Sequence, residues 1–263
     1  MGTSEPVRVG LIGLGAIGGS VVKRAAEHDD IELVGAVVRD ASRPRPAGSP
    51  PVFETLDELL ALKPDVVVEV AGHEGLRAHG LAVLRAGCDL YFVAVGALAD
   101  PETERELLDA AAESGRHAKI ISGAIGALDA LAGASAGELR QVTHTTRKPA
   151  ATLMPADEAA ALTEAVELFS GSAREGALKF PESVNVAAAV SFAGLGLDRT
   201  TLRVLADPEI ERNRHEVEAE GEFGTLRFEI MNVPSADNPK SGSLVAMSII
   251  HQLRQRRGGL GVG

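Results

Sequence analysis

Two patterns of apolar and polar positions divide the chain. Up to about residue 122, short β-branched runs alternate with segments of helical period. Val7 to Ile12 reads as a buried strand, followed by a helical pattern to about His28 and a second apolar run from Ile31 to Val38. "TLDELLALKP" reads as a helix with Thr55 as its N-cap and Glu58 completing a capping box. "DVVVEVAG" predicts a strand, and "HEGLRAHGLAVLRAG" a helix closed by Gly87. "DLYFVAV" predicts another strand. "DPETERELLDAAAESG" predicts a helix with Asp100 as N-cap and Pro101 in its first position, and "HAKIIS" a last strand. Continuous apolar strands separated by helices imply a parallel sheet covered on both faces.

The pattern then changes. "ELRQVTHTTRK" reads as an amphipathic strand, and "SAREGALKF" and "VNVAAAVSFAG" as helical segments split by Pro181. "TLRVLADP" and "HEVEAEGEFGTLRFEIMNV" read as antiparallel strands, the last two joined near Glu222–Phe223 between two glycines. Strands in succession predict an α+β domain. "SGSLVAMSIIHQLRQRRGG" reads as a helix that returns to the first domain.

Composition narrows the class. Apolar residues make up 45% of the 263 positions but aromatics only 3%, with no Trp, so the core rests on Ala, Val, Leu and Ile. The formal charge of −11 argues against a nucleic-acid or anionic-membrane surface. The single cysteine, Cys88, rules out an internal disulfide and a cysteine-rich metal site, and no His/Cys spacing supports metal binding. The opening residues lack a secretory layout, and no stretch reads as a membrane span. A soluble, cytoplasmic protein is the expectation.

The first turn carries chemistry. Gly13, Gly15 and Gly18 stand in GxGxxG spacing between the first strand and the first helix, and a second strand ends about 20 residues on. Gly13 permits the tight turn, Gly15 lets the backbone approach a pyrophosphate, and Gly18 lets helix and strand pack closely. The helix N-terminus, with Ala16 and Ile17, supplies N–H groups to the phosphates. The second strand ends at Arg39 and Asp40. Asp40 suits a ribose hydroxyl and Arg39 a 2′-phosphate, while both also read as loop charges. NAD and NADP both stay open. The expected fold is therefore α/β: a Rossmann-type doubly wound parallel sheet over residues 1–122, joined by the C-terminal helix of 240–263. A second α+β domain is expected over 123–239.

In "ERNRHEVEAEG" the period-2 pattern puts Arg214, Glu216, Glu218 and Glu220 on one face and Asn213, His215, Val217 and Ala219 on the inner one. An inward histidine is either a satisfied core residue or an acid/base. His28, His117 and His251 fall in exposed-looking contexts, and His73 and His79 in a helix of the first domain, His73 being the rival.

The phrases "GLIGLGAIG", "ISGAIGALDAL", "TRKP", "GSAREGALKFPESVNVAAAVSFAGLGLDRTTLRVLADPEIERNRHEVEAEGEFG" and "NVPSADNPKSGSLVAMS" resemble the L-aspartate dehydrogenase family over nearly the whole chain. The resemblance implies NAD- or NADP-dependent oxidation of the amine of aspartate. The imine then hydrolyses to oxaloacetate and ammonia or feeds NAD biosynthesis as iminoaspartate. It also implies a homodimer and a small dicarboxylic amino acid as substrate. It places the backbone amide of Ala124, beside a helix start, and the Asn185 side chain on the cofactor, and makes His215 the catalytic acid/base. By itself Ala124 reads as a turn residue and Asn185 as an N-cap. Arg147, Lys148, Arg174 and Lys240 are candidates for the substrate carboxylates, with solvated surface charge as the alternative reading of each. A dihydrodipicolinate reductase-like or homoserine dehydrogenase-like enzyme is the nearest rival, and a non-catalytic dinucleotide-binding sensor the rival of a different class.

Overall fold

The computed structural model describes residues 5–45, 48–180, 184–235 and 238–256. The chain divides into two compact units, residues 1–123 with 244–263, and residues 124–243.

The first unit is built on β1 (Val7–Ile12), α1 (Ala16–Ala25), β2 (Ile31–Val37), β3 (Val52–Phe53), α2 (Leu56–Leu60), β4 (Val66–Glu69), α3 (His73–Arg85), β5 (Asp89–Phe92), α4 (Pro101–Ser114) and β6 (Ala118–Ile120). All six strands are parallel, in the order β3-β2-β1-β4-β5-β6. The winding reverses between β1 and β4, so the loops after those two strands flank the crevice where such sheets bind ligands. All four residues of β4 are buried, as a central strand covered on both faces requires.

Local chemistry sets the element ends. The Asp100 carboxylate accepts from the Glu102 and Thr103 amides and starts α4. α1 stops at Ala25, short of His28, because Glu27 and His28 donate to Arg24 and Ala25 and close tighter turns. The capping box expected at Thr55 does not form: the Thr55 hydroxyl donates to Glu58 Oε2 at 2.6 Å, and no side chain caps the helix. The strand expected through Val95 ends at Phe92, and a buried 3₁₀ turn runs from Val95 to Ala99. Glu69 takes the Ala94 amide that would have continued the ladder.

The second unit begins with α5 (Leu128–Ala134) and β7 (Leu139–Pro149), followed by α6 (Ala156–Ala161), β8 (Val166–Ser172), α7 (Ala173–Lys179) and α8 (Val184–Ala193). It continues with β9 (Thr201–Asp207), β10 (Arg214–Gly221), β11 (Gly224–Met231), β12 (Pro234–Ser235) and β13 (Asn238–Gly242). Pro181, expected to split α7 from α8, lies outside the described residues. The larger sheet runs β11-β10-β7-β9-β8. The successive strands β9 and β10 are not neighbours. β7 lies between them, antiparallel to β10 and parallel to β9. A parallel pair needs a long crossover, and the segment from α6 to α8 supplies it. β8 is a half-exposed edge strand, which is why its apolar pattern is weak. Val142, Val217 and Ala219 form a core with Ile125, Leu131, Leu139 and Val190, so α5 and α8 cover this face of the sheet.

The last helix, α9 (Leu244–Gln255), belongs to the first unit. It packs on α1 and is tied by Arg254 to Asp30 and by Arg256 to Asp89.

Candidate active site

The first unit presents a loop made of backbone. Gly13 has φ +97°, and a Cβ there would lie 2.9 Å from the Ala71 Cβ. A Cβ on Gly18 would fall 2.5 Å from the Gly13 carbonyl oxygen. Both glycines are demanded by the fold itself. Gly15 differs: it is exposed, and a Cβ would meet nothing within 4 Å. It is the N-cap of α1, with no side-chain cap bond, so the first turn at Ala16 and Ile17 offers its N–H groups outward. A pyrophosphate fits such a cradle.

Glu69, at the end of β4 beside Ile12 of β1, is a residue the sequence reading missed. It has no exposed surface. Its carboxylate accepts from the amides of Ala71 at 2.6 Å, Gly72 at 2.7 Å and Ala94 at 3.2 Å. One side chain thus fixes the loop after β4 and the loop after β5. Burial pushes its carboxyl up to about 7, against the pull of those N–H groups. His73, the rival histidine, opens α3 just beyond this cradle.

Arg39 is exposed at the end of β2. Asp40 is engaged in its own loop: Oδ1 accepts from the Ser42 amide at 3.0 Å and hydroxyl at 2.6 Å, and Oδ2 from Arg43 at 3.2 Å. The Ser42 hydroxyl, foremost, holds the Asp40 carboxyl below its usual range.

In the second unit the chemistry sits on a sheet face. His215 in β10 and His144 in β7 share the face of Val217 and Val142, in the register Val217 to His144 and His215 to Thr146. Moving along the strands, the apolar Val142, Val217 and Ala219 give way to His144, Thr146 and His215. His215 is 6% exposed, and His144 and Thr146 are 0% exposed. Burial first, and then the charge of Lys148, push the His215 imidazole down to about 4. Lys148 follows Thr146 by two residues and so belongs to the same face of β7. His144, like Glu69, is a residue that sequence reasoning overlooked. For His144 the signal existed: in "VTHTT" the alternation that turns Val142 inward turns His144 inward too.

The other expected cations fare differently. Arg147 lies on the opposite face, with Nε 2.8 Å from Glu216 and a guanidinium nitrogen 3.6 Å from Asp207. Arg174 grips Asp198 at 2.6 and 3.0 Å. Both are occupied by carboxylates of their own unit. The Lys240 side chain lies outside the described residues. Ala124 lies in a turn after Gly123 (φ +60°), ahead of α5 rather than at its start. The buried Asn232 fixes it, Nδ2 donating to the Ala124 carbonyl at 2.8 Å. Asn185 is exposed inside the first turn of α8, which begins at Val184, so it is not the N-cap. Among the described residues no group of His, Cys, Asp and Glu is placed to hold a metal, and no helix is long and apolar enough to cross a membrane.

Two family models match the chain. The family described as "Homoserine dehydrogenase, NAD binding domain" matches residues 13–120, and "Aspartate dehydrogenase, C-terminal" matches residues 129–256. The aspartate dehydrogenase of Thermotoga maritima shares the fold, with a TM-score of 0.81 at 24% identity over 98% of this chain and 99% of that one. Dihydrodipicolinate reductase from Paenisporosarcina sp. TG-14 shares it less closely, at 0.55 and 15% over 95% and 94%. Fold and glycine loop together define a dehydrogenase that uses a nicotinamide dinucleotide. An L-aspartate dehydrogenase of Ruegeria pomeroyi is 44% identical over 96% of this chain and 93% of its own. The chain belongs to the L-aspartate dehydrogenase family.

Proposed function

We propose that the chain oxidises L-aspartate to iminoaspartate, which hydrolyses to oxaloacetate and ammonia, with His215 as general acid/base. The observation that carries this reading is a nearly buried histidine, neutral at physiological pH, beside a lysine on the same sheet face. A bound nicotinamide would supply the acceptor for the hydride of the substrate Cα. The protein's own residues do the rest. Gly13, Gly15 and Gly18, with the amides of Ala16 and Ile17, hold the pyrophosphate. Glu69 keeps the loops after β4 and β5 in place. Ala124, set by Asn232, and Asn185 contact the cofactor.

The aspartate nitrogen must lose a proton before its lone pair can expel hydride, and His215 takes that proton. Lys148 holds a substrate carboxylate. Pairing Lys148 with that carboxylate offsets the charge that depresses His215, so the base strengthens when substrate is present. Arg39 meets a 2′-phosphate and admits NADP beside NAD, while Asp40 orders the loop. A cytoplasmic homodimer completes the proposal.

The test is nicotinamide absorbance with aspartate, glutamate, alanine, and oxaloacetate plus ammonia. Turnover with aspartate far above the other amino acids is expected. Cofactor binding without turnover of any of them would leave a dinucleotide sensor instead.

A further inference from the structure

His144 has no exposed surface, and its Nε2 lies 3.3 Å from His215 Nδ1, with the ring centroids 5.4 Å apart and the ring planes 21° from parallel. Burial, and then the neighbouring His215, hold His144 well below the usual imidazole range, which favours its neutral form. A neutral imidazole has one donor and one acceptor nitrogen. The Nδ1 of His215 is turned to this buried ring, so protons reach and leave His215 through Nε2. To act as a base there, Nε2 must be bare and the hydrogen must sit on Nδ1. A free histidine side chain favours the opposite tautomer. The fold has to reverse that preference, because the nitrogen that carries the hydrogen is set by the partner of the other one.

We propose that His144 is the positioning residue for His215: its Nε2 accepts the Nδ1–H of His215 and leaves His215 Nε2 free for the substrate proton. This rests on the assignment of His215 as the acid/base. When His215 gains a proton at Nε2 it becomes an imidazolium whose Nδ1–H still donates to neutral His144, so no tautomer has to change during the step. His144 keeps its own hydrogen on Nδ1. That nitrogen and the Thr146 hydroxyl oxygen, two residues along the same strand face, are both buried and have no hydrogen-bond partner among the described residues. The role is that of the carboxylate in a serine–histidine–aspartate triad, which holds its imidazole in the working tautomer. A neutral ring orients the base without adding a charge to it.

The experiment uses the full chain with nicotinamide cofactor bound. Nitrogen-15 NMR of the imidazoles at neutral pH, assigned with His144→Phe and His215→Asn variants, reads the tautomer directly. The wild type is expected to show His215 with its hydrogen on Nδ1, and His144→Phe to move it to Nε2. His144→Phe should lower kcat about 10- to 100-fold, the usual cost of losing an orienting partner, with KM for aspartate little changed. His144→Gln, whose side-chain oxygen accepts the same hydrogen, should recover most of kcat. A wild-type His215 protonated on Nε2, a wild-type kcat in His144→Phe, or His144→Gln no faster than His144→Phe overturns the proposal. If His144→Phe does not fold, the wild-type tautomer and His144→Gln still decide. His215→Asn separates the two ideas: full turnover in that variant removes His215 itself, whereas loss there beside normal turnover in His144→Phe removes only His144.

Discussion

The two units build their chemistry from different materials. The first uses main chain: Gly13, Gly15, Gly18 and the open first turn of α1, with one buried carboxylate holding the loops after β4 and β5. The second uses side chains spaced along a sheet face, His144, Thr146 and Lys148 on β7 and His215 on β10. A backbone site is insensitive to which side chains surround it, provided that none intrudes. A side-chain site depends on each residue and on strand register, since a slip of one position turns every group to the other face.

The sharpest test of that contrast is His215. His215→Ala and His215→Asn should each lower kcat about 10²- to 10⁴-fold, with cofactor affinity unchanged, measured beside melting temperatures. Asn keeps polarity and similar size, so full activity in His215→Asn would return the residue to a packing role. The pH profile sharpens the same point. The base works while neutral, so activity falls as pH drops through its pKa. The profile of kcat/KM, which reports the free enzyme, should hold until pH nears about 4. That of kcat should fall at higher pH, because bound carboxylate offsets Lys148. Identical limbs near 6.5 in both profiles would contradict the environment described for His215.

Glu69 tests the buried carboxylate. Its pKa is raised on folding, from 4.5 to about 7. Its contribution is therefore present below 4.5 and lost as pH rises toward 7, by about 3 kcal/mol. His215 titrates in an overlapping window with the opposite sign, so the difference between wild type and Glu69→Gln is the measure. Chemical unfolding at pH 4.5 and 7.5 should show the variant gaining about 3 kcal/mol on the wild type between the two. A constant difference would mean that folding does not raise the Glu69 pKa. Next, Gly15→Val should fold normally, given the open space at that position, yet weaken cofactor binding by about two orders of magnitude, or ~2.7 kcal/mol. Unchanged affinity by fluorescence titration would take the pyrophosphate away from this loop. The smallest effect belongs to Arg39→Ala, about tenfold on NADP and little on NAD, as one charge-assisted contact implies. Equal effects on both would leave Arg39 as loop surface.

The sequence by itself determined the strand–helix alternation and the glycine turn of the first unit. Glycine spacing, uninterrupted apolar strands and the Asp100 cap are local signals, and each keeps its meaning in the folded chain because it concerns neighbours within one turn. It also turned His215 inward, since alternation along a strand is local too. It did not show that β9 runs parallel to β7, because pairing order depends on residues far apart in the chain. Nor did it show that Arg147 is occupied by Glu216 and Asp207 while Lys148 shares the face of His215, a difference of one residue that only register resolves. The approach of His144 to His215 and the grasp of Glu69 on Ala94 join positions 71 and 25 residues apart. Such contacts exist only after the strands pair, so tertiary structure alone decided which polar groups meet in the dry interior and how strongly burial shifts them.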